Sequence, residues 1–222
     1  MLLVVAVKFL NDKPDLQPWH TVDLDQEFTA DSEVFTFEAY LALEDRLFEQ
    51  LDESINDSKA GEPSRSINRY TKQSLSDPTA WETNWNRTFE LTSESPRFGV
   101  LLLHGLSDAP YSLRAIGERL YAEGAHVIGL RIPGHGTAPA ALTKTSWQDM
   151  SAAVRITMRH LHTNVGDQPL YLVGYSNGGA LSVRYALESI EDPSLPPLEG
   201  MALLSPEIGI TAKSPQQPNY RA

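Results

Sequence analysis

Residues 169–179 read Pro-Leu-Tyr-Leu-Val-Gly-Tyr-Ser-Asn-Gly-Gly, and this stretch decides the fold. Its first five residues are a short apolar run, which is typical of a strand buried on both faces of a sheet. A helical pattern over 178–189 follows, so Ser176 lies in the turn between a strand and a helix. Gly174 and Gly178 flank the serine, where a sharp turn leaves no room for side chains. The stretch predicts a turn that lifts the Ser176 hydroxyl above the sheet edge.

Strands and helices continue to alternate on both sides of this stretch. The patterns predict helices at 111–123 and 146–162, and strands at 88–92, 99–103, 126–130 and 200–204. This alternation is typical of an α/β fold with a doubly wound, mostly parallel sheet and helices on both faces. Ligands bind such sheets at the carboxyl ends of the strands, where the loops 104–110, 131–137 and 174–177 are predicted to lie.

The first 80 residues do not follow this alternation, so we predict an N-terminal extension at 1–80 and a core domain at 81–222. Within the extension, apolar residues at helical spacing predict a helix at about 36–55, capped by Thr36. The apolar start, residues 1–7, has two interpretations: a first strand, or the remnant of a membrane anchor. The run itself is too short to cross a bilayer, which needs about 20 residues. The sequence leaves two localisations open, a membrane anchor at the cell envelope or the cytoplasm.

Composition narrows the classes of function. A hydrophobic content of 41% in 222 residues suits a globular domain with a sizeable core. The net charge of -11 and the lack of a basic run argue against nucleic-acid binding, which needs clustered Lys and Arg. The absence of cysteine excludes disulfides, a thiol nucleophile and thiolate metal sites.

The turn at Ser176 also carries a chemical pattern, because Gly174-Tyr-Ser-Asn-Gly178 matches G-x-S-x-G between a buried strand and a helix. In this setting the serine is a candidate nucleophile, and the amide of Asn177 points toward a developing oxyanion. An oxyanion hole needs a second donor. Gly105, in the loop after the strand at 99–103, lets the backbone approach closely and makes the Leu106 amide that donor. We expect His104 to hydrogen-bond this loop and not to act as the base.

Several motifs together resemble one known family. The HG loop at 101–112, the R-x-P-G-H-G-T loop at 131–137, the helix start Ser146-Trp-Gln-Asp149 and the turn at 174–179 occur in the same order and at similar spacing. They are similar to the α/β-hydrolase superfamily, and more narrowly to its bacterial carboxylesterase and monoacylglycerol-lipase-like branch. The resemblance covers about residues 85–210. It implies hydrolysis of a small-molecule or lipid ester through an acyl-enzyme, with no metal or organic cofactor.

The sequence departs from that family in one respect. All six histidines precede Ser176, whereas the family's catalytic histidine and its acid lie downstream of the serine. Glu207 follows the strand at 200–204, where some relatives place the acid. The resemblance therefore predicts an N-terminal portion of a longer esterase, inactive or very weak alone. The alternatives are a non-catalytic binding or scaffold protein, or acyl transfer, peptide hydrolysis or thioester cleavage at the same turn.

Overall fold

The computed structural model describes residues 15–56 and 67–209. Its five strands form one sheet in the order β1-β3-β2-β4-β5. All neighbouring strands run parallel except β1, which is antiparallel to β3. The prediction of a mostly parallel α/β sheet is confirmed. The strands are β1 (Phe89–Leu91), β2 (Phe98–Leu103), β3 (Ala125–Leu130), β4 (Leu170–Tyr175) and β5 (Gly200–Leu204).

The helices cover both faces of the sheet, as predicted. They are α1 (Pro18–Thr21), α2 (Phe37–Asn56), α3 (Arg114–Ala122), α4 (Trp147–Val165) and α5 (Asn177–Glu191), with short 3-10 helices at Pro78–Ala80, Pro110–Leu113 and Pro139–Thr143. The single helix predicted at 111–123 is divided. Its first turn is a 3-10 helix that begins at Pro110, and the α-helix starts only at Arg114. Proline favours such a first turn because it lacks an amide hydrogen and fixes φ.

The middle strands are buried on both sides, which explains their continuous apolar sequences. In β2, Leu101 and Leu103 join the apolar cluster under α2, α4 and α5. Val100 and Leu102 face the opposite side, where they pack in a second cluster that includes Ile116 of α3. The sheet therefore separates two apolar layers, and its carboxyl edge is left to carry the loops.

The N-terminal segment, which we define as residues 15–56, packs into the larger of these clusters. Phe28, Phe37, Tyr40 and Leu43 are buried together with side chains of β2, β3, β4 and α4. Thr36 caps α2, since its hydroxyl accepts a hydrogen bond from the Ala39 amide at 3.2 Å. The predicted extension and the predicted core domain thus share one layer of buried apolar side chains.

None of the helices within 15–56 and 67–209 is both long enough and apolar enough to cross a membrane. The interpretation of an anchor rests on residues 1–10, which lie outside the described residues.

Candidate active site

Ser176 occupies the sharp turn that the sequence predicts, between the end of β4 and the start of α5. Its backbone has φ 52° and ψ -115°, in the region that non-glycine residues rarely adopt. The turn has no space for side chains beside it. A Cβ on Gly178 would lie 2.0 Å from the Leu103 carbonyl oxygen, and one on Gly174 would lie 2.4 Å from the Gly178 carbonyl oxygen. The two glycines therefore allow the strand and the helix to meet at the serine.

Main-chain hydrogen bonds on two sides hold this strained turn. The Ser176 amide donates to the Leu204 carbonyl of β5 at 3.0 Å. The Ser176 carbonyl accepts from the amides of Gly179 at 2.9 Å and Glu207 at 3.0 Å. Neighbouring backbone thus fixes the Ser176 main chain. Its hydroxyl, in the described part of the chain, has no hydrogen-bond partner.

The HG loop lies directly against the serine. A Cβ on Gly105 would be 3.4 Å from the Ser176 Cβ and 3.0 Å from the Tyr175 ring, so a larger residue would push this loop away. The Leu106 and Asn177 amides each donate to no protein acceptor among the described residues. An oxyanion hole needs two amides without protein acceptors, so the oxyanion-hole role of Leu106 and Asn177 stays a prediction that these unpaired amides of the described residues fit.

His104 links two of the loops at this edge. It is fully buried, its Nε2 accepts from the Ile132 amide at 3.1 Å, and its Nδ1 lies 2.9 Å from the Gly105 carbonyl oxygen. These partners require the neutral ring with the proton on Nδ1, because an amide donates and a carbonyl accepts. Burial, assisted by the neighbouring His135, lowers the pKa of His104 to about 3. These contacts fit the predicted hydrogen-bonding role and leave no lone pair for a proton from Ser176.

The other histidines are also engaged or remote. His126 and His160 both contact the Glu90 carboxylate, near the amino end of β3, so they lie at the opposite sheet edge from Ser176. His135 is buried, and its Nδ1 is 2.9 Å from the Pro133 carbonyl oxygen. The remaining two histidines, His20 and His162, are exposed. No histidine within the described residues hydrogen-bonds to the Ser176 hydroxyl.

The loop 131–137 contains a residue that sequence reasoning passed over. Arg131 is 0% exposed, yet it carries a full charge. Its guanidinium pairs with Glu27 at 2.9 Å and Glu44 at 3.0 Å, both in the N-terminal segment. Burial would lower the pKa of Arg131, but the charges of these carboxylates hold it well above its usual value. A buried arginine demands acidic partners, but the sequence offers 29 acidic residues without indicating which two.

A small cavity lies between the HG loop and the loop 131–137. Its volume is about 110 Å³, and it is lined among others by Ser107, Asp108, His135 and Thr137. Pockets for whole small-molecule ligands usually measure about 300–1,000 Å³, so this space fits only a small part of a substrate. Within 15–56 and 67–209, no group of three His, Asp or Glu side chains is arranged to hold a metal ion.

Comparison of the sequence with known protein families assigns the chain to one of them. The sequence profile described as "Serine aminopeptidase, S33" matches residues 94–222, which is more than half of the chain. The chain belongs to this α/β-hydrolase family. The matched region contains the turn at Ser176, the HG loop and the loop 131–137. The resemblance inferred from the sequence motifs is therefore confirmed.

The chain is also similar to a monoacylglycerol lipase and to a solved structure of lipolytic enzymes. The chain is 33% identical over 95 residues to the thermostable monoacylglycerol lipase of Bacillus sp. (strain H-257), covering 42% of this chain and 37% of that protein. A solved structure described as LipS and LipT, two metagenome-derived lipolytic enzymes, aligns at 29% identity with a TM-score of 0.50, over 59% of this chain and 49% of that one. The chain thus spans half or less of the length of these relatives.

Proposed function

We propose that this chain carries the nucleophile and oxyanion hole of a carboxylic ester hydrolase, with Ser176 as the attacking residue. One observation carries the proposal: the strained Ser176 lies next to two amides, those of Leu106 and Asn177, that have no protein acceptor within 15–56 and 67–209. Unpaired donors and strained backbone both cost stability, and they cluster where chemistry needs them. Membership of an esterase- and lipase-like α/β-hydrolase family supports the same assignment.

The reaction follows from this arrangement. Ser176 Oγ attacks the ester carbonyl carbon and gives its proton to a base, while the carbonyl oxygen becomes an oxyanion held by the Leu106 and Asn177 amides. The intermediate then collapses, and the leaving alkoxide takes up the proton as the alcohol departs. Water attacks the remaining acyl-enzyme in the same way, which releases the carboxylic acid and restores the serine.

The described residues include no base in contact with the Ser176 hydroxyl. His104 has both ring nitrogens engaged and too low a pKa, and the other described histidines make no contact with the Ser176 hydroxyl. We infer that the base and its acid come from polypeptide outside the described residues, as the family resemblance implies. Removing one member of such a triad costs about 10⁴-fold in rate, although the oxyanion hole alone retains some acceleration over water.

The surroundings of the serine favour an apolar acyl group. Leu106 and Tyr175, on the two sides of Ser176, are 48% and 41% exposed. Exposed apolar side chains beside a nucleophile offer surface to a hydrocarbon chain. The relatives named as a monoacylglycerol lipase and as lipolytic enzymes support a lipid ester, and no cofactor enters the proposed reaction.

Covalent labelling tests the proposal directly. The chain is incubated with a fluorophosphonate probe, with and without added imidazole as a substitute base, and the adduct is located by peptide mass spectrometry. We expect slow labelling of Ser176 that imidazole accelerates. The Ser176→Ala variant loses the adduct, and the Ser76→Ala variant, which changes an exposed serine, keeps it.

The main competitor is a member of the fold that binds without catalysis. The lack of a base beside the Ser176 hydroxyl among the described residues favours this alternative, because an unactivated serine reacts slowly. The same experiment separates the two. A folded chain that never labels at Ser176, even with imidazole, would reject the hydrolase proposal and favour the binding protein.

A further inference from the structure

The N-terminal segment reaches the loop 131–137 through a group of side chains that we call the Arg131 clamp: Tyr40, Glu44 and Arg131, which are buried, and Glu27, whose side chain is 11% exposed. Glu27 grips the guanidinium with both carboxylate oxygens, at 2.9 Å and 3.0 Å, in the bidentate geometry of the strongest ion pairs. Glu44 accepts from Arg131 Nε at 3.0 Å. The loop is therefore contacted by three residues that precede Arg131 by 87, 91 and 104 positions.

The clamp holds the main chain of the loop as well as its arginine. The Tyr40 hydroxyl donates to the Arg131 carbonyl oxygen at 2.6 Å. The Glu27 carboxylate also accepts from the Gly134 amide at 2.9 Å. Arg131 in turn donates to the His135 carbonyl at 3.1 Å, so the loop is tied at both ends of its turn. These contacts to backbone atoms couple the ion pair to the path of the loop main chain.

Two hydrogen bonds, both made by His104, connect this loop to the HG loop beside the serine. The Ile132 amide, directly after Arg131, donates to His104 Nε2 at 3.1 Å, and His104 Nδ1–H donates to the Gly105 carbonyl oxygen at 2.9 Å. That carbonyl and the Leu106 amide belong to one planar trans peptide unit, so they point in opposite directions. The hydrogen bond from His104 thus sets the direction of the Leu106 N–H.

We propose that the N-terminal segment positions the oxyanion donor Leu106, through the Arg131 clamp, Ile132, His104 and Gly105. Glu27 is then a positioning residue, because it acts through other groups and does not touch the substrate. The inference rests on the proposed function for the role of the Leu106 amide. The physical coupling between Glu27 and this amide stands on the contacts alone.

The alternative is that the clamp only attaches the N-terminal segment to the sheet. Apolar contacts already do this, since Phe28, Phe37 and Leu43 are buried in the main cluster. Buried ion pairs are in general poor sources of stability, because desolvation offsets most of their attraction. A fixed geometry is what a bidentate ion pair adds beyond apolar packing.

The coupling can be measured by NMR on the full chain, without any activity. The readouts are the ring N–H signal of His104, the hydrogen exchange of the Ile132 amide and the ¹⁵N shift of Leu106. In Glu27→Gln we expect all three to change, with Ile132 exchange faster by about tenfold as its hydrogen bond weakens. Tyr40→Phe, a milder variant that keeps the charges, should give smaller changes in the same three signals.

Matched control variants show whether the signals respond to the loss of the clamp contacts or to the loss of any carboxylate or hydroxyl group. Glu33→Gln and Tyr121→Phe remove the same groups at exposed positions and should leave the three signals unchanged. In a His104→Asn background, the amide nitrogen keeps the donor to Gly105 but the acceptor for Ile132 is lost. Because the Ile132 amide has no acceptor in that background, Glu27→Gln should then leave both the Ile132 exchange and the Leu106 shift as they are in the single His104→Asn variant.

The outcomes are distinct for the two proposals. The inference is wrong if the His104 and Leu106 signals stay unchanged in both Glu27→Gln and Tyr40→Phe while Ile132 exchange accelerates. The clamp would then affect the loop 131–137 and not the HG loop. Concerted change in all three signals supports it. Failure of Ser176 to label with fluorophosphonate would reject the hydrolase function independently, since that experiment uses the unaltered chain.

Discussion

The turn at Ser176 and the loop 131–137 lie at the same sheet edge but are held in different ways. The turn is fixed by main-chain hydrogen bonds and by glycines that admit close backbone contact. The loop is fixed by a buried arginine and two carboxylates from a distant segment. The turn at Ser176 is thus stabilised by uncharged contacts between neighbouring elements. The loop 131–137 is stabilised by charged side chains that are far apart in the sequence.

This difference has consequences for how each region fails. Contacts between backbone atoms tolerate no added volume, whereas they are insensitive to charge. A buried ion pair tolerates changes of shape better than the loss of one partner, because the remaining charge is then stranded in the interior. Substitutions of volume and of charge should therefore distinguish the two regions.

The largest effect is expected from added volume at the turn. In Gly178→Ala the new Cβ would lie 2.0 Å from the Leu103 carbonyl oxygen and 2.7 Å from that of His104, and both are backbone atoms that cannot move alone. We expect the free energy of unfolding to fall by about 5 kcal/mol, measured by urea denaturation. Gly200→Ala is the matched control: its Cβ would meet only the Tyr171 ring at 3.5 Å, and we expect a change within about 0.5 kcal/mol. Equal losses of unfolding free energy in Gly178→Ala and Gly200→Ala would show that the turn at Ser176 is no more sensitive to added volume than an ordinary position.

The next effect is the loss of charge in the loop. Arg131→Met leaves Glu27 and Glu44 buried without a counter-charge, so we expect a loss of about 4 kcal/mol in the free energy of unfolding. Arg119→Met removes a surface pair with Glu123, and we expect less than about 0.5 kcal/mol. Urea denaturation of both variants checks this. A loss at Arg131 no larger than that at Arg119 would show that the loop does not depend on its ion pair.

The same difference explains what the sequence could predict. Gly174, Ser176 and Gly178 are close along the chain, so the strand, turn and helix appear as a local pattern. The Glu27–Arg131 pair spans 104 positions, and no local pattern connects its members. The strands and the long helices were predictable because their apolar period is local. The packing of the N-terminal segment was not, since nothing in the periodicity of α2 indicates which surface its apolar side covers.

A second ionic contact ties the N-terminal segment to the sheet and allows a pH test. Glu38 of α2 and Glu90 of β1 both contact His160, and His126 also contacts Glu90. Burial raises the pKa of Glu90, but hydrogen bonds from the two histidines outweigh it and lower the pKa to about 2. The hydrogen bond to Glu90 raises the pKa of His160 against the opposing effect of burial.

The signs of these shifts define a pH window. The lowered pKa of Glu90 gives stability that is present above its ordinary value of 4.5 and is lost as the pH falls toward 2. The raised pKa of His160 gives stability that is complete below 6.5 and is lost as the pH rises through its higher folded value. The contact is therefore strongest between about pH 4.5 and 6.5, where the carboxylate is ionised and the imidazole protonated.

The smallest effect is expected from Glu90→Gln, which removes the carboxylate from this partly exposed contact. Between pH 5 and 6 the wild type should exceed the variant in the free energy of unfolding by about 1 kcal/mol, after allowance for solvent screening. The difference should shrink toward pH 3 and toward pH 9, as one partner and then the other loses its charge. Urea denaturation across this range measures it, with Glu94→Gln, an exposed residue nearby in the chain, as the control. A difference that stays constant with pH would mean that Glu90 acts through packing and not through its charge. The contact between β1 and His160 would then be held, as the turn at Ser176 is, by interactions that carry no charge.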